Sequence, residues 1–228
     1  MTGSHYRDEP TTVSRYSAAA RVNHWVTAAS LILLALSGLA LFHPSLFFLT
    51  GLFGGGEYTR IIHPWIGLVL LVSFAGLFLR FWRLNLWERT DNVWLGRVRA
   101  VLAGREEELP EVGKYNAGQK LVFWGMSILI IVLFVSGVGI WRSQYPFLRE
   151  TLGIVIPIDQ QRLAVLVHAL AAIGAILIWI VHVYAALWVK GTVRAMMRGS
   201  VTGGWAWRHH RRWLREEVGA RTPRRPAE

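Results

Sequence analysis

The chain has 228 residues, is 53% hydrophobic and carries a formal net charge of +11 without a single cysteine. Its mean hydropathy of +0.35 is too high for an ordinary soluble domain. The missing cysteines exclude disulfides, iron–sulfur ligation by this chain and thiolate-held metal centres, so any redox centre must rest on histidine or methionine.

The apolar residues are concentrated in four runs, 22–42, 61–82, 121–141 and 163–189. Each approaches or exceeds the ~20 residues needed to cross a bilayer core. One four-helix membrane domain uses nearly all the length. Three basic residues precede the first run, eight lie from Arg80 to Lys120, and ten follow the fourth run. The other two loops hold only Arg60, Arg142, Arg149 and Arg162. The positive-inside rule then puts both termini and the middle loop in the cytoplasm. The charge reports topology and anionic-lipid contact, and nucleic acid is excluded as its partner.

In chain order, residues 1–20 are polar and read as a mostly disordered cytoplasmic arm, with no removable signal peptide expected. The first helix begins around residues 19–22 and carries His24 in its first turns, beside Trp25. His43–Pro44 and a Gly-rich loop, 51–56, follow on the outer side. The second helix is expected to start near His63–Pro64, proline being tolerated in a first turn. Gly67 lies one turn beyond His63 on the same face. In the middle loop, Trp94, Val98, Val101 and Leu102 fall at i, i+4, i+7 and i+8. That spacing predicts a short amphipathic helix on the cytoplasmic surface. The segment VGKYNAGQK, 112–120, leads into a third helix without histidine, where Ser136, Gly137 and Gly139 allow close helix contact. The fourth helix contains His168 and His182, and a basic, solvated tail is expected from 191 to 228. The predicted fold is therefore an all-α integral membrane protein, a four-helix bundle with one amphipathic helix between its second and third spans.

His168 and His182 are fourteen residues apart, ~21 Å along a helix axis, and fourteen steps of ~100° bring them back to one face. His24 shares the cytoplasmic depth of His182. His63 shares the outer depth of His168. Ionisable groups inside a membrane are costly and mark function. One imidazole on each side of an iron is what a b-type haem requires. The residues therefore predict two haem sites in one domain, 21–190, with iron ligands His63 and His168 outside, His24 and His182 inside. Ala171, Ala172, Ala175, Ala185 and Ala186 would leave room for a porphyrin, although small residues also form plain helix seams. His43 is a rival outer ligand. His5, His209 and His210 lie in hydrophilic ends and are given no role. A haem-free transporter or proton channel built on membrane histidines is the rival reading from another class.

RVNHW around His24, RIIHP around His63, VGKYNAGQK, the His168/His182 pair and WVKG at 188–191 together carry a family resemblance. From residue 21 to about 217 the chain resembles the cytochrome b (gamma) subunits of membrane-bound respiratory formate dehydrogenases. The resemblance implies an electron-transfer, quinone-reducing subunit whose partner performs formate oxidation. It implies an iron–sulfur beta subunit with its own membrane anchor and an alpha subunit with a molybdenum or tungsten pterin. Some relatives assemble as trimers of heterotrimers. The two haems are expected to carry electrons inward to menaquinone or ubiquinone beside the inner site. The resemblance places that quinone near Asn116 and His182, with Gln119 and Lys120 either assisting or capping the helix. Asn116 itself can be read as a helix cap. Arg21 is expected either to meet an inner-haem propionate or to act as a topology charge. The cytochrome b of a hydrogenase or thiosulfate reductase is the runner-up.

Overall fold

The computed structural model describes residues 11–141 and 145–221. The predictions made for residues 1–10, His5 among them, for Arg142 and for 222–228 lie outside the described residues. Among the described residues the regular structure is helical but for one short pair of strands, and the chain divides into two compact units.

The membrane unit consists of Val22–Trp82 and Val122–Tyr184. It draws on four helices long and apolar enough to cross a bilayer: α1 (Ala18–Phe42), α2 (Gly56–Phe81), α5 (Ala117–Ile140) and α7 (Ile158–Trp188). Ser17 caps α1, its Oγ accepting from the Ala20 N–H at 3.3 Å. Bulky side chains such as Val72, Leu79, Val135 and Leu187 are exposed on the chain's own surface, as lipid-facing positions should be. Small residues fill the interior: Ala40, Ser37, Ser127, Ser136, Ala171 and Ala175 are buried. The α5–α7 crossing is close because of glycine. Built Cβ atoms would stand 2.8 Å from Ile178 at Gly125 and 3.4 Å from Leu129 at Gly174. Phe78 on α2 stacks on Phe123 of α5, ring centroids 5.6 Å apart.

The connection after α1 is a 3-10 helix, Pro44–Phe53. Gly54 and Gly55 follow with φ of 84° and 102° and turn the chain, so α2 begins at Gly56. This corrects the expected start at His63. Pro64 sits inside α2, where it withholds a backbone N–H from the helix ladder.

The polar unit consists of Met1–Arg21, Arg83–Leu121 and Ala185–Glu228. The expected amphipathic helix is two short ones, α3 (Arg89–Gly96) and α4 (Val98–Leu102), broken at Arg97. Trp94 is not on an exposed face. It is buried in a small core with Val112 and Ala117. A further short helix is α6 (Tyr145–Leu152), outside this unit.

The readings of a disordered arm and a solvated tail are also corrected for the described residues. Strand β1 (Thr12–Ser14) pairs antiparallel with β2 (Ser200–Thr202), with Val13 opposite Val201. The tail adds α8 (Thr192–Arg198), α9 (Gly203–His209) and α10 (Arg211–Arg221). Ala195, Val201, Ala206 and Trp213 form their buried core. Gly199 makes the junction: its carbonyl accepts from Arg15 and Tyr16, and its φ is 80°. A side chain there would lie 2.6 Å from the Tyr16 carbonyl oxygen.

Candidate functional site

Within the membrane unit four histidines meet in two pairs. His24 of α1 faces His182 of α7 with ring centroids 6.2 Å apart. His63 of α2 faces His168 of α7 at 6.3 Å. Since α7 is unbroken from Ile158 to Trp188, the two pairs are separated by ~21 Å along its axis. His24, His63 and His168 are half-buried, and His182 is exposed on the chain's own surface.

Neither pair is a hydrogen bond; the rings are too far apart. A metal held between two imidazole nitrogens at ~2.0 Å each would set the ring centroids roughly 6 Å apart. The observed separations fit that. Among the described residues no cluster of three or more histidines, cysteines or carboxylates could hold a bare metal ion. The pairs suit a metal that brings its remaining ligands with it, as haem iron does. There is also room beside a ligand: a Cβ added to Gly67, one turn after His63, would meet nothing within 4 Å.

The His63/His168 pair has a second layer that inspection of the histidines missed. Ser37 Oγ lies 2.7 Å from His63 Nδ1, and Ser136 Oγ lies 3.0 Å from His168 Nδ1. In each case the next residue is glycine, Gly38 or Gly137, and a Cβ there would touch the ring's Cε1 at 3.5 or 3.4 Å. The repeated Ser-Gly dipeptide in LSGLA and VSGVG was the available signal. In the His24/His182 pair, His24 Nδ1 is buried without a hydrogen-bond partner among the described residues.

The rival His43 caps the 3-10 helix, its Nδ1 accepting from the Ser45 N–H at 3.2 Å. It joins neither pair.

Of the candidate quinone residues, His182 lies in the membrane unit, while Asn116 and Gln119 lie in the polar unit at the start of α5. Asn116 Oδ1 accepts from the Gln119 N–H, and Gln119 Oε1 accepts from the Asn116 N–H, both at 3.0 Å. This reciprocal capping box satisfies two helix-end donors, and it leaves the two side-chain NH2 groups outside the cap. Lys120 neither caps nor reaches outward: its Nζ donates to Asp91 Oδ2 at 2.8 Å and to the Leu86 carbonyl at 2.9 Å. Both side chains of that ion pair are 2% exposed. Arg21 donates to the Met197 carbonyl at 3.2 Å, an anchor for the tail within the same unit. A cavity of about 350 Å³ is lined by Arg83, Glu88, Lys114, Tyr115, Lys120 and Arg212, among others. Its charges are largely matched, with Arg212 on Glu88 at 2.7 Å. Burial and the nearby Arg15 push the Lys114 ammonium below its ordinary range, while burial beside Tyr16 holds the Tyr115 hydroxyl well above its own.

His210, given no role by its place in a basic run, is 1% exposed. Its Nδ1 donates to the Gly113 carbonyl at 2.8 Å, and its Nε2 lies 3.3 Å from Arg15 Nη2. Arg15 in turn sits over Trp213 and Trp205, 4.7 and 5.1 Å from their centroids.

Comparison with known proteins places the chain in a family. Residues 15–199 match the family model described as prokaryotic cytochrome b561. The formate dehydrogenase cytochrome b556(fdo) subunit of Escherichia coli K12 is 43% identical over 205 residues, covering 90% of this chain and 93% of the relative. The nitrate-inducible cytochrome b556(Fdn) subunit of the same organism is 40% identical over 196 residues, covering 86% and 87%. The cytochrome b556 subunit of the Haemophilus influenzae formate dehydrogenase is 36% identical over 208 residues, covering 91% and 84%.

Proposed function

Because the chain belongs to the prokaryotic cytochrome b561 family, and within it to the cytochrome b556 subunits of formate dehydrogenase, we propose that it holds two b-type haems and serves quinone reduction. When bound, the haems supply one-electron transfer between an iron–sulfur partner subunit on the outer side and a quinone on the inner side. His63 and His168 hold the outer group. His24 and His182 hold the inner one. The observation that carries this reading is the pair of matched separations, 6.2 and 6.3 Å, on one uninterrupted helix.

The partners are those of a formate dehydrogenase complex: an anchored iron–sulfur subunit and a pterin-bearing catalytic subunit that oxidises formate. The basic polar unit faces the cytoplasm, both termini included, in a bacterial inner membrane. Asn116 offers its NH2 group to a quinone carbonyl while its oxygen remains in the cap. Electrons moving inward work against the membrane potential, ~2.3 kcal/mol per charge per 100 mV. Proton uptake on the inner side and release on the outer side make this step charge-separating.

The test is a reduced-minus-oxidised optical spectrum and haem count on the purified complex. Two b-type haems per chain are expected. His182→Ala should remove one haem and abolish quinone reduction while leaving the other haem reducible. A variant that keeps both haems and its full quinone reductase rate would sink the assignment.

A further inference from the structure

The two serines of the outer pair do more than fill space. A serine hydroxyl has one proton. Ser37 directs its own at the Leu33 carbonyl, 2.7 Å away, and Ser136 directs its own at the Val132 carbonyl, 2.6 Å away. With that proton engaged, each Oγ faces its histidine as an acceptor. Nδ1 of His63 and of His168 must then carry the ring proton and donate it, at 2.7 and 3.0 Å. In a neutral imidazole this leaves Nε2 with the free lone pair on both rings. An added Cβ at Gly38 or Gly137 would meet the ring's Cε1 at ordinary contact distance, so each ring lies close beside the helix that carries its serine.

We propose that Ser37 and Ser136 are positioning residues that set the tautomer and electron donation of His63 and His168, and so give the outer haem a lower potential than the inner. This rests on the two-haem reading above. An acceptor on the far nitrogen makes an imidazole a stronger donor to its metal. Stronger donation favours ferric over ferrous iron and lowers the potential. The inner pair lacks this on at least one side, since Nδ1 of His24 is buried with no partner among the described residues. The asymmetry makes inward electron movement downhill, the direction that must be driven against a negative interior.

The experiment is a potentiometric titration of haem absorbance in the purified complex. His63→Ala identifies the outer wave by its loss. Ser37→Ala and Ser136→Ala should each move that wave to higher potential. The expected change is roughly tenfold in the ferric-to-ferrous ratio, or about 59 mV for one electron. The inner wave should stay in place. Ser37→Thr, which keeps the hydroxyl, should restore the wild-type value. Ser127→Ala is the control: that buried serine makes the same bond to the Phe123 carbonyl at 2.7 Å and lies on the same helix as Ser136. If Ser37→Ala does not assemble, Ser136→Ala gives the reading. Alanine variants whose outer wave moves no more than that of Ser127→Ala would overturn the proposal, as would equal movement of both waves. If His63→Ala removes no haem, the two-haem reading itself fails.

Discussion

At the scale of single residues, histidine chemistry here is decided by what each ring nitrogen touches. His210 shows it outside the membrane. Its Nδ1 donates to a carbonyl and its Nε2 faces a guanidinium, so the neutral ring is the form that fits. Burial, then the Arg15 charge, hold its pKa well below the ordinary 6.5. Below pH 6.5 the unfolded chain binds this proton and the folded chain does not. Stability therefore falls as pH drops from 6.5 toward the depressed value, by ~1.4 kcal/mol per pH unit within that window. His209 is pushed down to about 4 by burial and by Arg208 and Arg15, but its Nδ1 lies 2.8 Å from Glu106 Oε2, a contact that favours the charged ring, so the trend is assigned to His210 alone. His210→Gln keeps a donor and an acceptor but cannot titrate. Thermal unfolding followed from pH 8 to pH 4 should show a shallower acid loss in that variant. An unchanged slope would mean that the ring is not held neutral.

At the scale of elements, the start of α5 carries two readings that the capping box makes separable. Asn116→Ala removes the side-chain acceptor and should cost ~1 kcal/mol of stability. Asn116→Asp keeps a good cap, aspartate being equivalent there, but loses the NH2 donor offered to quinone. The quinone proposal expects Asn116→Asp to fold like wild type and to raise the quinone KM or lower the rate by tenfold or more, on the scale of a lost hydrogen bond to substrate. Stability measured beside steady-state quinone kinetics decides it. Unimpaired kinetics in both variants would leave Asn116 as a cap alone. Element boundaries were the weaker part of the sequence reading, and for a local reason. Gly54 and Gly55 use positive φ and Gly56 does not, so a single Gly-rich stretch both ends one helix and begins another. Composition does not distinguish those roles. Likewise Arg97 interrupts an apolar spacing that would otherwise suit one continuous helix.

At the scale of the whole molecule, two sites on one helix predict pairwise bookkeeping of haem. His63→Ala, His168→Ala and their double variant should each lose the same single haem. His24→Ala combined with His63→Ala should lose both. Haem per chain by extracted pigment, with assembly checked by subunit content, measures this. Loss of both haems from His63→Ala alone would mean that the sites are not independent. The four spans, the all-α membrane class and the two depths of histidine were legible in the chain alone, because hydrophobic run length and helical pitch are local properties. The family resemblance extended that to formate dehydrogenase, and the matched relatives agree. Three things needed the tertiary structure. Which histidines face each other depends on helices distant in sequence, and that His43 caps the next turn depends on a backbone geometry its sequence does not spell out. That Ser37 and Ser136 back His63 and His168 depends on the same crossings, 26 and 32 residues from their histidines. That a basic tail folds around Arg15 depends on a strand pairing across nearly the whole chain. Charge and hydropathy say where a segment can be, but a hydrogen bond requires that two particular atoms meet, and only the packed fold decides that.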